Sequence, residues 1–368
     1  MSDTSMRPDL KPGADTVSGQ EHLDHDVERL LEPSRQSRTT RAFNTVVRSR
    51  ESAILLVLVA IIVAATVKNP AFLFSNNGWR DLLLTPSILL LLAAGQAVVI
   101  ITRNVDLSVG SVLAITAYLT GRLFIDVPGI PIVVVVAAGV AVGAALGLLN
   151  GVLVSLGRVP ALVITLGTLY IYRGAVLTWA GSDRVNAGDM PRDFLRLGTR
   201  SILSIPVLFI VAVVVVAAVG YYLYAHRGGR EMYAIGSDPE AAILYGLPVR
   251  RRVLTAFVLS GALAGLAGVV HAARYGTVSS GAGSGVELEA VAAVVIGGVA
   301  IFGGSGTVWG AAIGAMLLVT IDRALPILGI PDFWQRAVVG VLIISAIVLD
   351  RVLSARRTRK LIEARDQS

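Results

Sequence analysis

A chain of 368 residues in which 54% are hydrophobic and only 15% charged carries too much apolar surface for a soluble domain and reads as an all-α polytopic membrane protein. Cysteine is absent, which excludes disulfides, thiol catalysis and cysteine metal sites. The net charge of +7 sits largely in arginine clusters beside apolar runs, so it reads as an orientation signal and as contact with the anionic lipid of a bilayer; no nucleic-acid partner is expected.

Residues 1–50 are polar and read as a largely disordered tail, with one weak amphipathic turn around Val27 to Leu31. The first apolar run begins only near position 52, so it is expected to be a retained span rather than a cleaved signal peptide. Runs long enough to span follow at 52–67, 82–102, 107–124, 131–156, 160–179, 206–225, 253–272, 287–301, 308–324 and 335–350. They give ten segments within a transmembrane domain of 51–352, of which 107–124 and 287–301 are short enough to be broken or re-entrant. A basic tail, 353–368, closes the chain. With ten spans, the clusters Arg41/Arg48/Arg50, Arg250–Arg252 and Arg356–Lys360 all fall on one side. Both termini are therefore expected in the cytoplasm, in a multi-pass protein of the plasma membrane. The loop 181–205 resists this orientation, because Arg184, Arg192, Arg196 and Arg200 are offset only partly by Asp183, Asp189 and Asp193.

Between the sixth and seventh runs lies Asp238-Pro-Glu-Ala-Ala-Ile-Leu-Tyr-Gly246. Asp238 suits an N-cap, Pro239 a first helical turn, and Gly246 with Pro248 a stop, so the spacing predicts one isolated short helix. A helix that short is unstable alone in water and is expected to dock on a soluble partner, with Ala241 and Ala242 allowing close approach. The alternative is an amphipathic helix lying on lipid.

Two apolar stretches resemble each other. Gly143-Ala-Ala-Leu-Gly147 recurs as Gly310-Ala-Ala-Ile-Gly314, each on a small-residue face and each followed by a turn with proline. In the ten-span arrangement the copies cross in opposite directions, as the inverted repeats of transporters do.

The run Gly95-Gln-Ala-Val-Val-Ile-Ile-Thr-Arg-Asn-Val-Asp-Leu-Ser-Val-Gly-Ser111 is followed by Leu149-Asn-Gly151, Val159-Pro-Ala-Leu-Val-Ile-Thr-Leu-Gly167 and Tyr172-Arg-Gly174. Then come Gly285-Val-Glu-Leu-Glu-Ala-Val-Ala-Ala-Val-Val-Ile-Gly-Gly298 and Gly303-Gly-Ser-Gly306. This series, over about residues 50–350, resembles the ribose-type permeases of ATP-binding-cassette sugar importers. Arg103 before Asn-Val-Asp106 is most similar to rhamnose-type and autoinducer-2-type members. The resemblance implies a permease subunit that moves a monosaccharide or related small polyol inward. Its implied partners are a cytoplasmic ATPase, an extracytoplasmic sugar-binding protein and a second permease copy, alike or different. It also makes the short helix, about 239–246, a coupling helix, with Glu240, Ala241, Ala242 and Gly246 on the family's pattern. Independently, none of the three lysines, Lys11, Lys68 and Lys360, follows a glycine, so the chain has no Walker A loop. No cofactor is expected in this chain; ATP and magnesium would be bound by the partner.

Polar residues inside the apolar runs are the candidate pathway. Asp106 with Ser108 either faces the substrate or caps the third span, and Glu287 has the same two readings at the eighth. Asn150, Thr165 and Arg173 line a sugar path or bond neighbouring helices. No catalytic or metal site is expected. The competing readings are an ion-coupled secondary transporter using Asp106 and Glu287, and an importer permease of the branched-chain amino-acid type.

Overall fold

In a bilayer every backbone polar group must find a partner within the protein, so the apolar runs fold as helices and stop where proline, glycine or arginine clusters intervene. The computed structural model describes residues 50–331 apart from 76 and 158, together with residues 334, 337, 340, 341, 344, 345 and 348. The expected polar tail up to residue 49, the basic tail 353–368 and most of the expected segment 335–350 lie outside the described residues.

The chain opens with α1 (Arg50–Lys68) and two short helices, α2 (Ala71–Phe74) and α3 (Gly78–Leu84). Then come α4 (Ser87–Ile101), α5 (Val109–Asp126), α6 (Ile132–Gly157) and α7 (Ala161–Ala180). A polar segment follows, with a 3-10 turn at Ala187–Asp189, α8 (Arg192–Thr199) and a hairpin of β1 (Ser201–Ile202) and β2 (Ile205–Pro206), which pair antiparallel. The second half holds α9 (Val207–Ala225), α10 (Arg227–Ser237), α11 (Pro239–Leu244), α12 (Val249–Tyr275), α13 (Val286–Ile296) and α14 (Val308–Ile327).

Among the described residues eight segments are long and apolar enough to cross a membrane: α1, α3 with α4, α5, α6, α7, α9, α12 and α14. The run 107–124 is thus a full helix. The run 287–301 is not a span: α13 has eleven residues and a rise of about 16 Å, about half the hydrocarbon thickness. The count of ten is not reached among the described residues.

The bundle is organised around α4 and α12. Every residue of α4 is buried, and α12 packs on α4, α5 and α6. Lipid tails are as apolar as leucine, so close helix approach in a membrane rests on small residues and van der Waals fit. Gly143 lies against the Gly261 carbonyl and 2.7 Å from Gly265 Cα when a Cβ is placed on it, while Gly147 meets Phe257 and Gly261. Pairing Gly139 with Gly265 and Gly151 with Leu254 sets α6 antiparallel to α12. The repeat's second copy does the same work elsewhere, because Gly310 and Gly314 of α14 approach Gly297, which caps α13, and Ala293 within it. Since α13 returns from the end of α12 and α14 returns from α13, α6 and α14 run in opposite senses.

The arginine-rich segment 181–206 closes the end of the bundle where α12 finishes. Val185 and Val278 exchange backbone hydrogen bonds of 3.0 and 2.9 Å, Gly198 packs on Ala273, and Arg80 donates to the carbonyl of Thr199. Arg196 pairs with Asp193 at 3.0 Å. Of the four loop arginines, Arg196 is thus offset by a neighbouring carboxylate within the segment itself. The segment lies about 33 Å along α12 from the end that carries α11, judged by the 22 residues from Val249 to His271.

Because a side chain at 143 meets backbone rather than a flexible tip, Gly143→Val is expected to destabilise the purified protein by about 1–3 kcal/mol. A thermal melt in detergent or lipid checks this, with Gly157→Ala, whose surroundings are open, as the silent control.

Candidate functional site

The chain breaks between α4 and α5, inside the apolar bundle. Thr102 ends α4, Arg103 takes a left-handed φ of 64°, and residues 104–107 run without helix before Ser108 starts α5. Freed backbone groups at this depth need partners, and the side chains here supply them. The Gln96 amide donates to the Asp106 carbonyl at 3.1 Å and accepts from the Asp106 N–H at 3.2 Å. Thr165 Oγ1 donates to the Val105 carbonyl at 3.1 Å, and Asn104 Nδ2 to the Thr102 carbonyl at 2.8 Å.

Asp106 is 1% exposed and sits at the centre of a side-chain network. Its Oδ1 accepts from the Ser108 N–H at 3.0 Å and from Ser108 Oγ at 2.7 Å, and its Oδ2 accepts from Ser260 Oγ at 3.3 Å. Asn150 Nδ2 donates to Ser108 Oγ at 2.7 Å, and Tyr172 OH reaches Asn150 Oδ1 at 3.1 Å. Loop 102–108, α6, α7 and α12 are thereby tied together by fully buried polar groups. Ser260 lies eleven residues into α12, about 16 Å from its start, which puts this network well inside the bundle.

Arg173 and Glu287 organise the segment that leads into α13. Arg173 Nη1 donates to the carbonyls of Ser280 at 3.2 Å and Ala282 at 2.8 Å, clamping the loop after α12. Glu287 Oε1 accepts from the Gly285 N–H at 3.2 Å, in the first turn of α13. Its Oε2 is buried, has no hydrogen-bond partner among the described residues, and lies over Gly110. Gly283 also packs on Gly110. The starts of α5 and α13 therefore meet inside the bundle, each with a carboxylate beside its positive end. The six predicted pathway residues are thus neighbours: Asp106, Ser108, Asn150 and Thr165 hold the first helix start, and Arg173 and Glu287 hold the second.

The short helix is α11. Asp238 Oδ1 accepts from the N–H groups of Glu240 at 3.1 Å and Ala241 at 3.0 Å, Pro239 occupies the first turn, and Gly246 has a φ of 73° just past the end. Ala242 is buried against its own chain, whereas Ile243, Leu244 and Tyr245 are 64%, 87% and 85% exposed. The exposed apolar surface here is therefore these three residues, which lie just beyond the Glu-Ala-Ala pattern. They were visible as an apolar triplet in a basic loop.

An ion-pair brace, which sequence reasoning missed, holds α11 between its neighbours. Glu231 of α10 accepts from Arg252 Nε of α12 at 2.6 Å and from Arg227 Nε at 2.7 Å. The Arg252 hydrogen bond holds the Glu231 carboxyl below the usual carboxylate range, with Arg227 acting in the same sense against burial. The other anchor is the glycine run: Gly304, at a φ of 74°, packs on Ser237 and donates its N–H to the Ile101 carbonyl at 3.0 Å. Among the described residues no group of three or more His, Asp or Glu side chains is arranged to hold a metal ion.

Two predictions follow from this geometry. Asp106→Ala strands the Ser108 and Ser260 donors and is expected to cost about 1–3 kcal/mol in a melt, whereas Asp106→Asn keeps the shape and one acceptor and costs less. At the brace, Arg227 is 83% exposed and its loss costs about 0–1 kcal/mol, while loss of the largely buried Arg252 costs about 1.5–3 kcal/mol. A lowered carboxylate contributes stability that is present above its unfolded pKa and lost as pH falls through the folded one. The Arg252 contribution should therefore be flat above about pH 5 and decline below about pH 4, and Glu231→Gln should remove that dependence.

Comparison with known proteins places these features in context. Residues 80–347 match the family model described as "Branched-chain amino acid transport system / permease component". The autoinducer 2 import system permease protein LsrC of Enterobacter sp. (strain 638) is 36% identical over 316 residues, covering 86% of this chain and 90% of that protein. The D-allose transport system permease protein AlsC of Escherichia coli (strain K12) is 35% identical over 302 residues, covering 82% and 90%. LsrC of Klebsiella pneumoniae subsp. pneumoniae is 36% identical over 326 residues, covering 88% and 93%. No solved structure matches the chain.

Proposed function

Because the chain belongs to this family of transport-system permease components, we propose that it is the membrane subunit of an ATP-binding-cassette importer carrying a monosaccharide or related small polyol into the cell. It is a transport subunit, not an enzyme. The family description names branched-chain amino acids, but the relatives at 35–36% identity are import permeases for autoinducer 2 and D-allose, which favours the sugar-like class.

The observation that carries the mechanism is α11: a capped six-residue helix presenting Ile243, Leu244 and Tyr245 from a braced platform. It is the coupling helix on which a separate cytoplasmic ATPase, holding ATP and magnesium, docks, with Glu240, Ala241 and Gly246 at the contact and Ala242 anchoring the helix to its own chain. On this reading α11 faces the cytoplasm, as both termini are expected to, and the segment 181–206 faces outside, where a sugar-loaded binding protein would meet it. A second permease copy completes the pathway.

The sugar's route passes the meeting point of α5 and α13. Asp106, Ser108, Asn150 and Thr165 act there as the frame, since their polar groups are spent on one another and on backbone. Arg173 sets the loop, and Glu287 Oε2 has capacity left for a sugar hydroxyl. ATP closure of the partner ATPases moves α11, and α12 carries the motion to this junction. No ion gradient is needed.

Glu240→Arg and Leu244→Asp are each expected to abolish co-purification with the partner ATPase and to reduce uptake by about ten-fold or more, without lowering the melting temperature of the permease. Retention of both association and uptake would remove α11 from the mechanism. Collapse of uptake on dissipating the ion gradient at constant ATP would favour a secondary transporter.

A further inference from the structure

The end of the bundle opposite α11 holds two adjoining cavities that share His271, Tyr275, Gly283 and Val286. The outer, about 450 Å³, is bordered by Arg184, Asn186, Thr277, Ser279 and Ser284. The inner, about 210 Å³, reaches Thr85, Glu289, Asp322 and Arg323 between α4, α13 and α14. Together they are of the size that small-molecule sites occupy. His271 stands at their junction. Its ring centroid lies 4.6 Å from that of Tyr275 with the planes tilted by 47°, and its Nδ1 is buried with no hydrogen-bond partner among the described residues. Arg323 Nη1, deeper in, is likewise buried and unpartnered. Ionisable groups inside a membrane bundle are costly and by default functional.

We propose that this His271 vestibule is a capture site built within a single permease chain, where a neutral polyhydroxylated ligand of monosaccharide size is held after release outside and before it passes the α5–α13 junction. The chemistry of the lining argues for that class. It mixes guanidinium donors, carboxylate acceptors, an amide and hydroxyls, so neither an anion nor a cation is matched throughout. A hydroxyl both donates and accepts, and several on one ring can serve all of these groups at once. His271 Nδ1 and Arg323 Nη1 supply the unspent capacity. The site rests on the importer reading, and its role is to keep released sugar from diffusing back while α12 moves.

The chain's lack of cysteine makes the test direct. In proteoliposomes holding the full assembly, with D-allose, D-ribose and D-mannitol as probes, two quantities are read: sugar moved per ATP hydrolysed, and the labelling rate of His271→Cys by a membrane-impermeant thiol reagent from outside. For His271→Ala, sugar moved per ATP is expected to fall about ten-fold, while ATP hydrolysis stimulated by loaded binding protein stays within about two-fold. His271→Gln, which restores a hydrogen-bonding group, is expected to recover part of the loss. The cysteine should label from outside, and the transported probe should slow it while the others do not. A merely structural His271 would lower ATP hydrolysis and transport together, and that result overturns the proposal. So does unchanged sugar per ATP, or labelling indifferent to the transported probe. Wild-type assemblies that move none of the probes would sink the importer reading itself, and this site with it. Wild-type transport alongside any of the first three results would sink the site alone.

Discussion

A membrane interior offers no water, so a chain that interrupts its helices there must bring its own partners for every N–H and C=O it frees. The loop between α4 and α5 meets this demand with the Gln96 amide, which satisfies both backbone groups of Asp106, and with Asp106, Ser108, Asn150, Tyr172 and Ser260, which satisfy one another. Gln96, Ser108 and Asn150 are each 0% exposed, so none of these bonds has a solvent substitute. The break, the start of α5 and the meeting with α13 all depend on this network being complete.

Around that network the helices are held by fit rather than by hydrophobicity. The glycines of α6 and α12 let two backbones touch, and Gly310 and Gly314 of α14 do the same against Gly297 and Ala293 at the end of α13. The side chains lost at these positions are what permit α12 to pack on three helices at once. Polar specificity is concentrated at the helix break, and shape specificity is spread along α12.

The sequence carried much of this. Runs of apolar residues placed the long helices to within a few positions, and Asp238, Pro239 and Gly246 located α11, because capping chemistry is local and obeys fixed spacing. The Gly-Ala repeat was legible as small residues, although which helices they join was not. The six polar candidates were marked by being polar in apolar runs. What escaped was anything requiring three dimensions. Glu231 and Arg252 lie 21 residues apart on two helices, and their pairing leaves no trace in periodicity. The run 287–301 has a span's composition, and its helix, α13, is only eleven residues long, flanked by Gly285 and Gly298 in left-handed conformations. Ala241 and Ala242 were read by their size as permitting close approach by a partner; Ala242 is turned inward on its own chain, and Leu244 and Tyr245 are left outside.

The Glu231 brace also has a mechanical meaning. It joins α10 to α12 immediately on either side of α11, so the small helix cannot swivel in its socket as a loop would. α12 is about 40 Å long and is gripped near its middle by Ser260 and the α6 glycines. It is held at its far end as well, where Arg274 donates to the carbonyls of Leu84 and Thr85 at 3.0 and 2.8 Å, so the helix is fixed along its length and not at a single pivot. With the Glu231–Arg252 tie at one end of α12 and the Arg274 clamp at the other, the short α11 is seated on a support fixed at both ends.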